Sequence, residues 1–140
     1  MTASNADVLR QLYRDVWNGA NPESVHDLVH DAYLIHDREV PDGTSGPEIY
    51  RYLADSTREI FPDANFEIDD IVAAGQKVAV RWTMSGTHDG ELYGLEPTGE
   101  EIELAGIEIN WFTKGQLIET WTISDQLGLM EQLGALSDPE

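Results

Sequence analysis

The chain contains no cysteine, which excludes disulfides, thiolate metal sites and a cysteine nucleophile. Cations are scarce as well: eight Lys+Arg, only two of them lysines (Lys77 and Lys114), against 27 Asp+Glu among 140 residues. A phosphate-binding surface gathers several Lys/Arg on one face, so nucleic acid is excluded as a partner. No apolar run approaches the ~20 residues of a membrane-spanning helix, and no membrane association is expected. The N-terminal stretch carries neither the basic nor the apolar region of a secretory signal, which points to the cytoplasm. There is no GxSxG, P-loop or GxGxxG, so serine-hydrolase, nucleotide and dinucleotide chemistry fall away.

With 41% hydrophobic residues the chain is not a disordered acidic tail. Its length fits one domain over residues 1–140, with a core at about 7–134 and a polar tail at 135–140. The formal charge of −19 far exceeds the ~2–8 of an ordinary small domain. Acids spread along the whole chain favour a protein that works in concentrated salt, where like charges are screened. An acidic surface that docks a basic partner is the other reading.

Apolar residues at 3–4 residue spacing (Val8, Leu9, Leu12, Tyr13, Val16) predict a helix capped by Asn5 or Asp7 and ended at Asn18-Gly19. A short helix restarts at Asn21-Pro22. Residues 32–37 read as a strand, followed by a turn-rich loop at 41–46. A third helix spans about 47–60 and stops before Pro62. The period then changes to two, which predicts strands at 66–72, 77–88, 101–113 and 116–124, the last two joined by Thr113-Lys114-Gly115. A short helix at 127–133 closes the chain. Helices followed by antiparallel strands give an α+β layout with helices on one face of a curved sheet.

Most acids are solvated surface; one becomes chemically useful where an apolar setting raises its pKa. Three qualify. Asp125 ends the last strand with the parity of Leu117, Glu119, Trp121 and Ile123, expected to look inward; alternatively it caps the closing helix. Glu108 lies inside a strand between Ile107 and Ile109, facing either the pocket or the outer side of the sheet. Asp37 follows an apolar strand, or caps a loop. His36 and His88 stand at strand ends. His26 and His30, four residues apart on the expected second helix, lack a third ligand and read as surface, so no metal site is expected. Trp17, Trp82, Trp111 and Trp121 are core, or the walls of a pocket for a flat ligand.

The segments Leu12-Tyr13-Arg14-Asp15-Val16-Trp17-Asn18-Gly19, Ala32-Tyr33 through His36-Asp37, Phe61-Pro62-Asp63, Val78-Ala79-Val80-Arg81-Trp82, Gly86-Thr87-His88-Asp89-Gly90-Glu91, Pro97-Thr98-Gly99 and the run from Asp125 through Gly128-Leu129 to Gly134 resemble, in that order, the SnoaL-like polyketide cyclases of the nuclear transport factor 2-like superfamily. The resemblance implies a cone-shaped α+β barrel enclosing one deep pocket. It also implies a cofactor-free and metal-free intramolecular aldol closure of a polyketide ester, a small hydrophobic or polycyclic substrate. Asp125 would be the general acid/base, with His36 and His88 bonding the developing oxyanion. Tyr13, Trp17, Asp37, Trp82, Glu108, Trp111 and Trp121 would contact the substrate.

Ketosteroid isomerases offer a related pattern: Tyr13 and Asp37 stand where those enzymes hold a helix tyrosine and a base. Glu108 stands where they hold a protonated acid, so an allylic isomerase is the alternative. A non-catalytic small-molecule binder of the same fold is a third reading. Strand 101–113 is apolar on both parities (Ile102, Leu104, Phe112 against Ile107, Ile109, Trp111), which predicts a homodimer or higher oligomer.

Overall fold

A computed structural model describes residues 4–37 and 45–135. Most of the expected loop at 41–46 and nearly all of the tail at 135–140 lie outside them. Helix α1 (Asn5–Leu12) is capped by Ser4, whose hydroxyl accepts from the Asp7 N–H at 3.1 Å; neither expected residue is the cap. The helix then widens into a π turn, Tyr13–Trp17, in which Asn18 N donates to the Tyr13 carbonyl five residues back at 2.8 Å. Asn18 ends that turn by gripping both backbone groups of Phe66: Oδ1 accepts from the N–H at 2.7 Å and Nδ2 donates to the carbonyl at 3.0 Å. The helix end is thereby fastened to the sheet, and Tyr13 and Trp17 are held over it.

A 3₁₀ turn (Pro22–Ser24) and the single turn α2 (Val25–Leu28) lead into β1 (Val29–His36). His30 is therefore on a strand and His26 on the helix, so the two never form a pair on one helical face. Then follow α3 (Pro47–Ile60), β2 (Asn65–Ala74), β3 (Lys77–Thr87), β4 (Glu101–Thr113), β5 (Gln116–Ser124) and α4 (Gln126–Gln132). The five strands form one sheet in the order β1-β5-β4-β3-β2. All neighbours are antiparallel except β1, which runs parallel to β5. The α+β cone is the expected one, with a mixed rather than wholly antiparallel sheet that does not close into a barrel. Among the described residues no helix is long and apolar enough to cross a membrane.

Strand β4 alternates strictly. Ile102, Leu104, Glu108, Asn110 and Phe112 are buried on the inner face, while Ile107, Ile109 and Trp111 are exposed on the outer one. Between them Gly106 is also inward, and a Cβ there would lie 2.2 Å from Trp82 Cζ2, so only glycine lets the indole lie across β4. Strand β5 behaves differently. Phe112 pairs with Leu117 but Trp111 with Glu119, so β5 carries one extra residue. A bulge of this kind shifts the alternation by one and turns every later side chain to the other face. Leu117 is buried, yet beyond the bulge Thr120, Thr122 and Ser124 face inward, opposite Asn110, Glu108 and Gly106. Trp121 and Ile123, expected inside, are 52% and 73% exposed on the outer face.

Candidate active site

Between the sheet's inner face and the helices lies a cavity of about 230 Å³. Its walls are Trp17, Phe61, Phe66, Trp82, Met84, Leu104 and Leu129, with Tyr52 and Tyr93 at the exposed rim. Trp17, Phe66 and Trp82 form a continuous aromatic wall, with ring centroids 4.9 and 5.6 Å apart. Among the polar side chains that line it, two are carboxyls: Asp37 and Glu108.

Glu108 is held at the end of a buried chain of hydrogen bonds. Thr120 Oγ1 donates to Asn110 Oδ1 at 2.7 Å, which fixes the Asn110 amide so that Nδ2 donates to Glu108 Oε1 at 3.3 Å. The Tyr13 hydroxyl donates to the same Oε1 at 2.7 Å. Burial, at 8% exposure, raises the Glu108 pKa above the ordinary carboxylate value, against the opposing pull of the Tyr13 and Asn110 hydrogen bonds. With two donors on Oε1, the proton of the neutral acid belongs on Oε2. Burial and the neighbouring Glu108 keep the Tyr13 phenol well above its usual pKa, hence neutral.

Asp37 enters from the other side. It directly follows β1, whose last residue, His36, pairs with Trp121. The next position of that parallel register lies beside Thr122, which pairs with Glu108 across β5 and β4. Asp37, Thr122 and Glu108 therefore form one row across the pocket floor. Adjacent strands are about 4.8 Å apart, so the two carboxyl-bearing backbones stand roughly 10 Å from each other. One acid is buried and biased to its neutral form; the other is only half-buried at the pocket wall.

An aromatic pocket in an α+β cone, with an acid pair on its floor, is a setting shared by enzymes and binders alike. What decides the family is the match of the SnoaL-like polyketide cyclase family model to residues 7–133. The chain belongs to that family. No curated protein matches it, but solved structures do. Wild-type IdmH of Streptomyces antibioticus is 32% identical over 94% of this chain and 99% of its own, with a TM-score of 0.81. A proposed polyketide cyclase of Acidithiobacillus ferrooxidans is 29% identical over 98% and 99%, with a TM-score of 0.83. TsrD of Streptomyces laurentii is 26% identical over 97% and 99%, with a TM-score of 0.84.

Within this SnoaL-like fold the residues singled out from the sequence divide into two groups. Tyr13, Trp17, Asp37, Trp82 and Glu108 all line the pocket. Asp125, His36, His88, Trp111 and Trp121 do not. The parity that groups Asp125 with Trp121 and Ile123 is correct, but the β5 bulge turns that set outward. The Asp125 carboxylate is exposed and caps α4, with Oδ1 accepting from Gly128 N at 2.9 Å. Gly128 is needed there because a Cβ would fall 2.3 Å from Asp125 Oδ2, so the Asp-x-x-Gly spacing is that of a helix cap.

His36 stacks on Trp121 outside the sheet, with ring centroids 3.6 Å apart, and its Nε2 lies 2.8 Å from Glu119. Trp111 is also outside, beneath the Lys77 ammonium at 4.5 Å. His88 is fully buried, but behind the pocket wall: its Nδ1 accepts from the Thr98 N–H at 3.2 Å and its backbone pairs with Gly99 and Glu100. It pins the segment between β3 and β4. The sequence reading missed Asn110 on β4, and Thr120, Thr122 and Ser124, whose signal is the run of alternate hydroxyls on β5. Among the described residues no cluster of three or more His, Asp or Glu is placed to hold a metal ion.

Proposed function

We propose that the pocket performs cofactor-independent acid/base chemistry at carbon next to a carbonyl, ending in an intramolecular aldol ring closure. Asp37 takes the α-proton. Glu108, neutral and held through Oε1 by Tyr13 and Asn110, donates from Oε2 to the oxygen of the forming enolate. The observation that carries this is the placement of two carboxyls in one cavity, Glu108 buried and held through Oε1 by Tyr13 and Asn110, Asp37 half-buried at the wall: such a pair can supply an acid and a base together. Asp125, to which the resemblance gives the base role, is turned away and already holds α4, so Asp37 replaces it in this reading. The ring-closing outcome rests on family membership, since an allylic isomerase would use the same three groups.

A cavity near 230 Å³ is smaller than the roughly 300–1,000 Å³ of sites for drug-sized ligands. The bound portion of the substrate is therefore about one or two rings, with the remainder passing between Tyr52 and Tyr93. Incubating the protein with the methyl ester of an acyclic triketo acid and following products by NMR tests the reading. A cyclised product formed faster than in buffer is expected. Double-bond migration in an unsaturated ketone, without cyclisation of the triketo ester, would replace it with the isomerase; binding without either reaction would leave a binder.

A further inference from the structure

An aldol closure differs from an isomerisation in one respect that the site must accommodate: negative charge develops on two oxygens. The C–H bond next to the first carbonyl breaks, its proton goes to the base, and charge gathers on the enolate oxygen. The new C–C bond then forms to a second carbonyl carbon. That carbonyl's π pair moves onto its oxygen, which finally takes the proton back. Glu108 can serve only the first oxygen, because its Oε1 is occupied by Tyr13 and Asn110.

We propose that Thr122 is the donor for the second oxygen and so decides that this pocket closes rings. Thr122 lies on the inner face of β5, directly opposite Glu108 and beside the entry of Asp37. Cβ atoms of such a cross-strand pair are about 5 Å apart, roughly the span of two carbonyl oxygens on one small ring. Its hydroxyl makes no hydrogen bond to another described residue, whereas its neighbours on the same face are engaged. Thr120 donates to Asn110, and Ser124 accepts from Gln126 Nε2 at 2.7 Å. An unengaged hydroxyl between an acid and a base, flanked on β5 by two hydroxyls that are already bonded, is positioned for a substrate oxygen. The bulge in β5 is what brings it there; without the extra residue Trp121 would occupy the inner face.

This inference rests on the acid/base reading above, and the test keeps the two separable. Calorimetric titration with naphthoquinone (two ring carbonyls) and tetralone (one) needs no turnover, and a protein without cysteine cannot trap the quinone through a thiol. Thr122→Val preserves shape and strand propensity. It is expected to weaken naphthoquinone about five- to tenfold and leave tetralone within about twofold, while Thr122→Ser retains both affinities. An equal effect on the two ligands, or none, overturns the assignment whether or not the protein is a catalyst. With the triketo ester, Thr122→Val should slow cyclisation about 10²–10³-fold, the usual loss for one oxyanion donor, while α-proton exchange continues at the wild-type rate. Cyclisation at the wild-type rate in Thr122→Val overturns it too. Exchange that continues at the wild-type rate in Asp37→Asn overturns the underlying acid/base reading alone and leaves the affinity test of Thr122 standing.

Discussion

Replacing Glu108 by Gln isolates the free energy of burying one carboxyl. The amide oxygen can accept from Tyr13 and Asn110 as Oε1 does, and those two donors force the NH₂ group to the Oε2 position, facing the pocket. Packing and hydrogen bonds are therefore conserved, and the change removes only the ionisation. Because the folded-state pKa of Glu108 is raised, folding above its unfolded value near 4.5 must take up a proton. Its contribution to stability is complete below that value and is lost as pH rises through the folded one. In that window the wild type loses about 1.4 kcal/mol per pH unit that Glu108→Gln does not.

Urea unfolding of both proteins from about pH 4 to pH 9 at constant salt reads this out, since the other 26 acids are common to both. The stabilities should coincide at the acid end, diverge in favour of Glu108→Gln as pH rises, and run parallel once Glu108 is ionised. In turnover the variant should lose the alkaline fall that comes from deprotonating the wild-type donor. A stability difference independent of pH, or one that narrows as pH rises, would refute the buried neutral acid.

Asp125→Ala should cost about 1 kcal/mol of stability through the lost α4 cap and leave turnover per folded molecule unchanged, as chemical denaturation combined with active-protein normalisation would show. The outer face of the sheet presents Ile107 beside Ile123 and Ile109 beside Trp121, all exposed; light scattering should give twice the mass of one chain, and Ile123→Asp should halve it. The charge of −19 predicts that the melting temperature rises with KCl between roughly 0.05 and 2 M, as the Debye length shrinks below the spacing of surface acids. A flat profile would remove the high-salt explanation of the acidity.

The elements and the two faces of β4 could be read from the sequence because alternation and helical spacing are local properties. The face of β5 could not. Its apolar set, Leu117, Trp121 and Ile123, gives no sign that an extra residue near Ile118 inverts it. Only pairing with β4 reveals that the hydroxyl row is inside. Asp125 and Trp121 face outward because of that one residue, whereas His36 faces outward through the alternation of β1 itself, on which Tyr33 is buried. His30 moved from helix to strand because β1 begins at Val29, before its alternation is visible. Tyr13 and Glu108 lie 95 residues apart; no spacing rule joins them, and only the likeness to the ketosteroid-isomerase pattern brings them together. Asn110 escaped notice because a polar residue within a strand reads as outward unless its neighbours are known.

The most direct test of the account is solvent-deuterium incorporation at the α-carbon of tetralone, followed by NMR for wild type, Asp37→Asn and Asp125→Asn. Exchange requires only the base and the enolate donor, so it tests the acid/base pair without knowledge of the natural substrate. A positioned base contributes about 10²–10⁴-fold. The account predicts that Asp37→Asn loses exchange by that factor while Asp125→Asn exchanges at the wild-type rate. Exchange abolished in Asp125→Asn and retained in Asp37→Asn would contradict it.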